Sequence, residues 1–175
     1  MAQAKNHFEV LGVPVSFTVA LDALDRAYRN LQSKVHPDRF VNATEAERRV
    51  AMQLATGANE AYQTLKHPLK RAIYLLEMRG IDVRSETSIT MEPAFLMQQL
   101  EWRENIEDAR AARNLGRLES LHDELIAEKR VRFSHLEKLF GSGAFQPACE
   151  AARQLLFIEK LEQEIGDGIE EMDIA

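Results

Sequence analysis

From Leu21 to Val35 apolar side chains recur at alternating steps of three and four: Leu21, Leu24, Tyr28, Leu31 and Val35. That spacing draws one stripe along a helix, and Arg26, Arg29 and Lys34 fall outside it. The pattern predicts a helix that begins after Ser16–Thr18 and stops before Pro37, because the residue preceding a proline is pushed out of the α region. Thr44 followed by Glu47 is a capping-box signature for a second long helix running to about Lys66. Its expected interior face is Val50, Leu54, Ala58, Ala61 and Leu65. A short connection makes the two helices an antiparallel hairpin. Phe8, Val10, Leu11 and Val13 read as a short helical turn lying across it. Pro68 opens a further helix carrying Ile73, Leu75 and Leu76, with Gly80 as its natural end.

Residues 81–91 lose this periodicity and read as a linker or a structured crossing. Three more helical stretches follow, at about 92–113, 115–140 and 144–165, with breaks at Asn114–Gly116 and Gly141–Gly143. Connections this short predict an antiparallel three-helix bundle, with an acidic tail from Gly166 to Ala175 expected to fray. The reading is all-α. Residues 1–80 form a helical hairpin with flanking helices, 81–91 connect, and 92–175 form the bundle.

Charge separates the same two regions. Residues 1–80 carry eleven Lys/Arg against eight Asp/Glu, whereas 81–175 carry eleven against twenty. The acidic second half argues against nucleic-acid binding, which needs a basic face to displace phosphate counterions. No run approaches the roughly 18 apolar residues of a membrane span, and Met1 to Phe8 lack the pattern of a secretory signal. One cysteine, Cys149, permits no internal disulfide and no thiolate-held zinc or iron–sulfur centre. A cytoplasmic monomer without a cofactor or metal is the simplest expectation.

His36-Pro37-Asp38 sits in the connection between the two helices of the hairpin. In isolation the tripeptide reads as a helix stop, with Asp38 capping and His36 solvated. Its setting, directly after a helix with basic residues on its outer face, resembles the J-domain of DnaJ-class co-chaperones. Asn59-Glu60-Ala61-Tyr62-Gln63-Thr64-Leu65, followed by Pro68 and Arg71, resembles the end of that domain's long third helix. The resemblance implies that His36, Pro37 and Asp38 form the loop that docks on a DnaK-type ATPase. It makes Arg26, Arg29 and Lys34 the candidate basic contacts. Pro37 restrains the backbone, so the loop has little entropy left to lose on binding. With no nucleophile near His36 and no Gly-rich phosphate loop, such a protein stimulates an ATPase and is not itself an enzyme.

In the bundle, helical angles put Phe95, Trp102, Ile106 and Ala109 on one stripe, the expected core. Leu96, Met97 and Leu100 point elsewhere, with Glu104 among them and Glu101 beside them. Phe157 points about 200° away from Leu155 on the last helix. Part of this width suits a helix with two neighbours, but apolar residues rimmed by acids also suit a protein-binding surface. The run from Ala94 to Glu104, Pro68 to Leu76 and Leu155 to Leu161 resemble the HscB family, J-type co-chaperones of iron–sulfur cluster assembly. Trp102 departs from the smaller residue expected there. The resemblance implies that the bundle holds an IscU-type scaffold protein through Leu96, Met97, Leu100, Glu101, Glu104 and Phe157. The J-domain would then deliver the scaffold to an HscA-type chaperone. The alternative is a J-protein adaptor for a different client.

His7, His67, His122 and His135 show no ligand spacing and read as helix-end or surface residues. Cys149 reads as a small buried filler, and Lys129, Arg130 and Arg132 as a solvated helix face.

Overall fold

Asn6 starts the first helix, α1 (His7–Leu11), by a reciprocal exchange. Its side chain accepts from the Glu9 N–H at 2.9 Å, and the Glu9 carboxylate accepts from the Asn6 N–H at 3.0 Å. Gly12, at φ 65°, ends it. This computed structural model describes residues 5–41, 43–85 and 91–173, apart from the side chains of Pro37 and Asp173. It divides into two compact units, 1–75 and 76–175.

In the first unit α2 (Leu21–Val35) and α3 (Glu45–Lys66) form the hairpin, joined through a short 3-10 helix, Pro37–Phe40. The expected capping box at Thr44 and Glu47 is present, and the Thr44 N–H and hydroxyl, each donating to the Glu47 carboxylate at 2.8 Å, hold that carboxyl below its ordinary range. α4 (Pro68–Glu77) follows. Phe8, Leu24, Leu65 and Leu69 are fully buried at the centre, each contributing roughly 1.5–3 kcal/mol of transfer free energy. Arg71 is buried with them. Its guanidinium donates to the Leu65 carbonyl, left without an intrahelical partner at the end of α3, and lies 5.3 Å from the Phe17 ring centre. Burial lowers its pKa.

The interior face of α3 differs from the expected one. Ala58, Ala61 and Leu65 are buried, but Val50 and Leu54 are more than half exposed, and Ala51 takes the inner position in that part of the helix. Leu21 on α2 is exposed as well. The reason is length. α3 has 22 residues against 15 in α2, about 33 Å against about 22 Å. Tyr28 lies opposite Tyr62, so the first turns of α3 run past the end of α2. Phe40 of the 3-10 helix lies beside them. Phe40, Ala46, Glu47, Val50, Ala51 and Leu54 line an open apolar groove of about 320 Å³ there.

In the second unit α5 (Pro93–Ala111), α6 (Leu115–Gly141) and α7 (Phe145–Asp173) form the three-helix bundle. Its core includes Phe95, Trp102, Ile106 and Ala109, the expected stripe, with Leu118, Leu125, Ile158 and Ile165. Between α5 and α6 the left-handed residue is Arg113 (φ 49°) and Asn114 caps the next helix, accepting from the Arg117 N–H at 3.0 Å. Gly116 is therefore inside α6 and not in the break. The tail expected to fray is helical to Asp173, with Ile169 and Met172 packed against the core. The four-residue step from Ile165 to Ile169 continues the buried stripe, which offsets the cost of two helical glycines. Residues 174 and 175 lie outside the described residues.

Of the aperiodic stretch 81–91, residues 86–90 lie outside the described residues. Val83 is buried, and Arg153 of α7 donates to the backbone carbonyls of Asp82, Val83 and Ser85. That part of the stretch is a structured crossing.

Candidate functional site

The His-Pro-Asp motif lies where α2 hands over to the 3-10 helix. His36 ends α2 in an extended conformation (φ −58°, ψ 134°), as a residue before proline must. Its Nδ1 accepts from the Asp38 N–H at 3.3 Å and lies 3.5 Å from the Asp38 carboxylate, which is almost fully exposed. Both side chains therefore face solvent from a turn whose backbone is already fixed. Arg39, not singled out from the sequence, donates to the Ser33 carbonyl at 3.2 Å and ties the motif to the last turn of α2. A contact to a carbonyl six residues back leaves no periodic signal.

Arg26, Arg29 and Lys34 are all exposed on α2. On the side of the hairpin where Asp25 and Tyr28 meet Asn59 and Tyr62, polar and aromatic groups interlock. Tyr28 and Tyr62 stack with centroids 4.1 Å apart, and the Tyr28 hydroxyl donates to Asn59 Oδ1 at 3.3 Å. The Tyr62 hydroxyl donates to Asp25 at 2.8 Å and accepts from Lys66 at 2.6 Å. The Asn59-to-Leu65 motif thus staples the hairpin that carries the loop.

On α5 the core stripe faces inward and Leu96, Met97 and Leu100 stand exposed. Glu101 and Glu104 are exposed beside them. Glu107 and Asp108, absent from the sequence-based set, continue the same outward ridge one turn on. Their helical angles, within about 60° of Glu104, could have found them. The ridge is apolar in its first half and acidic in its second. Carboxylates along such a rim attract a basic partner while the apolar half supplies area to bury.

Phe157 is partly buried against the bundle core. Its ring meets Phe95 edge-on at 6.1 Å and lies under the Arg103 guanidinium, 5.3 Å from Cζ to the ring centre. It belongs partly to the core and offers one edge to the surface. Arg132 and Lys129 are not a solvated face. Arg132 pairs with Glu128 at 2.7 Å, donates to Gln98 at 3.1 Å and to Gln154, and lies 4.6 Å over Phe95. It joins all three helices below the ridge. Lys129 pairs with Glu162 on α7; Arg130 alone of the three is exposed. Glu162 of α7 holds Lys129, and Gln98 of α5 and Gln154 of α7 hold Arg132 beside Glu128; the contacts from other helices are not displayed by the wheel of α6 alone.

Cys149 is buried, and burial pushes its thiol pKa up, which leaves it unreactive at neutral pH. Among the described residues no group of three or more His, Cys, Asp or Glu is placed to hold a metal ion. No described helix is long and apolar enough to cross a membrane.

A helical hairpin presenting His-Pro-Asp from a stapled turn, followed in the same chain by a three-helix bundle, defines a J-domain protein with a C-terminal helical module. Family models match accordingly: the DnaJ domain over residues 6–74, and the HSCB C-terminal oligomerisation domain over 91–166. The chain belongs to the HscB family of J-domain co-chaperones, a non-enzymatic class that serves iron–sulfur cluster assembly. It is 56% identical over 168 residues to the co-chaperone protein HscB homolog of Burkholderia thailandensis, covering 96% of each chain. Among solved structures, the chaperone HscB from Vibrio cholerae matches with a TM-score of 0.82 at 34% identity, covering 96% of this chain and 99% of that one. The human co-chaperone protein HscB matches with a TM-score of 0.86 at 26% identity, covering 93% and 81%.

Proposed function

We propose that the chain binds an IscU-type iron–sulfur scaffold protein, delivers it to an HscA/DnaK-type chaperone and stimulates that chaperone's ATPase in the cytoplasm, acting as a monomer. Residues 1–80 are the chaperone-facing part, 81–91 the connection and 92–175 the scaffold-binding part. His36, Pro37 and Asp38 dock on the ATPase, with Arg26, Arg29 and Lys34 steering the encounter with an acidic surface. Leu96, Met97, Leu100, Glu101, Glu104 and the free edge of Phe157 hold the scaffold.

The observation that carries this reading is the ridge on α5. Three large apolar side chains are exposed on a helix whose opposite face is already buried, and carboxylates follow them directly. An isolated monomer gains nothing from exposing them together. Carrying both surfaces on one chain raises the effective concentration of scaffold at the chaperone, so stimulation and delivery reinforce each other.

The test is steady-state ATPase of the chaperone, with and without scaffold, for the natural chain and His36→Gln. Stimulation that needs His36 and rises further with scaffold supports both roles. Stimulation indifferent to scaffold, and unaffected by Leu96→Ala with Leu100→Ala, leaves the J-domain role and removes the scaffold assignment. No stimulation by the folded chain removes the role given to His36.

A further inference from the structure

We propose that Met97 is a modification site at which peroxide switches the ridge of α5 from a binding surface to a hydrated one; the inference rests on the scaffold-binding role proposed for that ridge. Met97 is 60% exposed. Of the three apolar residues on the ridge it lies nearest in helical angle to Glu101 and Glu104, where the apolar half meets the acidic one. Met91 and Met172, by contrast, pack against the bundle core.

The reaction needs only a hydroperoxide. The sulfur lone pair attacks the terminal oxygen and the O–O bond breaks. The sulfur gains one oxygen and is oxidised by two electrons, while the hydroperoxide is reduced to water or an alcohol. The product is a strong, fixed hydrogen-bond acceptor in place of a soft apolar group.

What that acceptor meets decides the consequence. Residues one helical turn away are Pro93, Ala94, Leu100 and Glu101. None carries a side-chain donor, and the Glu101 carboxylate repels the sulfoxide oxygen. The oxygen must therefore point to water. A partner face shaped to pack an apolar thioether would strip it of that water and place no donor opposite it, which costs affinity about tenfold or more. A partner already seated would shield the sulfur, so only the free protein is switched. Sulfoxide reduction restores the thioether, making the change reversible.

Met52 and Met78 are also exposed, at 72% and 41%, and provide the control. The full chain carrying Met52→Leu and Met78→Leu is treated with hydrogen peroxide and then catalase. Each methionine is mapped by peptide mass, and an IscU-type scaffold is titrated calorimetrically before and after treatment. The expected result is a Met97 sulfoxide, affinity about tenfold lower, recovery with methionine sulfoxide reductase, and slower Met97 oxidation when excess scaffold is present. A further substitution, Met97→Leu, is expected to leave affinity after treatment equal to that variant's own value before it. Met97 resisting oxidation while Met52 of the natural chain is fully oxidised would overturn the inference. So would unchanged affinity of the Met97-oxidised chain, or an equal loss in the Met97→Leu variant. Absence of scaffold binding before any peroxide is added would instead defeat the scaffold role itself, and this inference with it.

Discussion

Tyr62 stacks on Tyr28 across the hairpin with ring planes 11° apart, and its hydroxyl bridges Asp25 and Lys66. The ring buries area between α2 and α3 while the hydroxyl ties two charged groups together. Substitution can separate the two. Tyr62→Phe keeps the stack and removes the hydroxyl, and is expected to cost the first unit about 1 kcal/mol. Tyr62→Ala removes both and is expected to cost about 2 kcal/mol more. Chemical denaturation followed by tyrosine fluorescence or amide exchange in residues 5–75 checks both values.

Leu54 and Leu65 lie on one stripe of α3 in the sequence, yet the structure separates them: Leu65 is fully buried and Leu54 is more than half exposed. Leu65→Ala is expected to destabilise the first unit by about 3 kcal/mol. Leu54→Ala should change it by no more than about 0.5 kcal/mol, as an ordinary surface substitution does. Equal losses at the two positions in urea titrations would contradict the open groove.

That pair also marks what the sequence makes legible. Helix type and cap positions are local, so Thr44 with Glu47 and Gly80 could be read from spacing, while His36-Pro37-Asp38 is read from its resemblance to the J-domain loop. The α5 core stripe and the outward Leu96, Met97 and Leu100 followed from one helix's own periodicity. Apart from Gly116, placed in a break that Asn114 closes, the misreadings concern partners. Whether Leu54 is covered depends on how far α2 reaches. Whether Arg132 is solvated depends on Glu128 beside it and on Gln98 and Gln154 arriving from other helices. Whether the segment after Ile165 frays depends on Ile169 and Met172 finding the bundle core. Phe157 is an intermediate case, its direction read correctly but its cover by Arg103 not.

His7 titrates in a way that links pH to the stability of the first unit. Its ring stacks on Tyr74 at 4.3 Å, its backbone N–H donates to the Tyr74 hydroxyl at 3.0 Å, and burial lowers its pKa below 6.5 against a smaller opposing pull from Glu60. The folded state therefore binds a proton less readily than the unfolded chain. This contribution is complete above pH 6.5 and is lost as pH falls through 6.5 toward the lower folded value. Denaturation midpoints measured from pH 7.5 down to pH 5.5 should fall in the natural chain. They should fall less in His7→Phe, which keeps an aromatic ring against Tyr74 but cannot take up a proton. A slope identical in the two chains would remove His7 as its source.

Gly168 of α7 is buried beneath the Arg110 side chain of α5, whose guanidinium also donates to the Glu164 carbonyl at 2.8 Å. A Cβ added at Gly168 would lie 2.7 Å from Arg110 Nε and 2.9 Å from its Nη2. Two effects of similar size then oppose one another. Alanine is favoured over glycine in a helix by about 1 kcal/mol. The displaced guanidinium gives up a hydrogen bond worth about 1 kcal/mol or more, since one partner is charged. Gly168→Ala alone is therefore expected to be close to neutral. In an Arg110→Ala background nothing remains for the new methyl to displace, and the same substitution should stabilise the bundle by about 1 kcal/mol. The double-mutant cycle isolates the coupling between the two positions. An equal effect of Gly168→Ala in both backgrounds would show that the guanidinium does not rest on the glycine in solution.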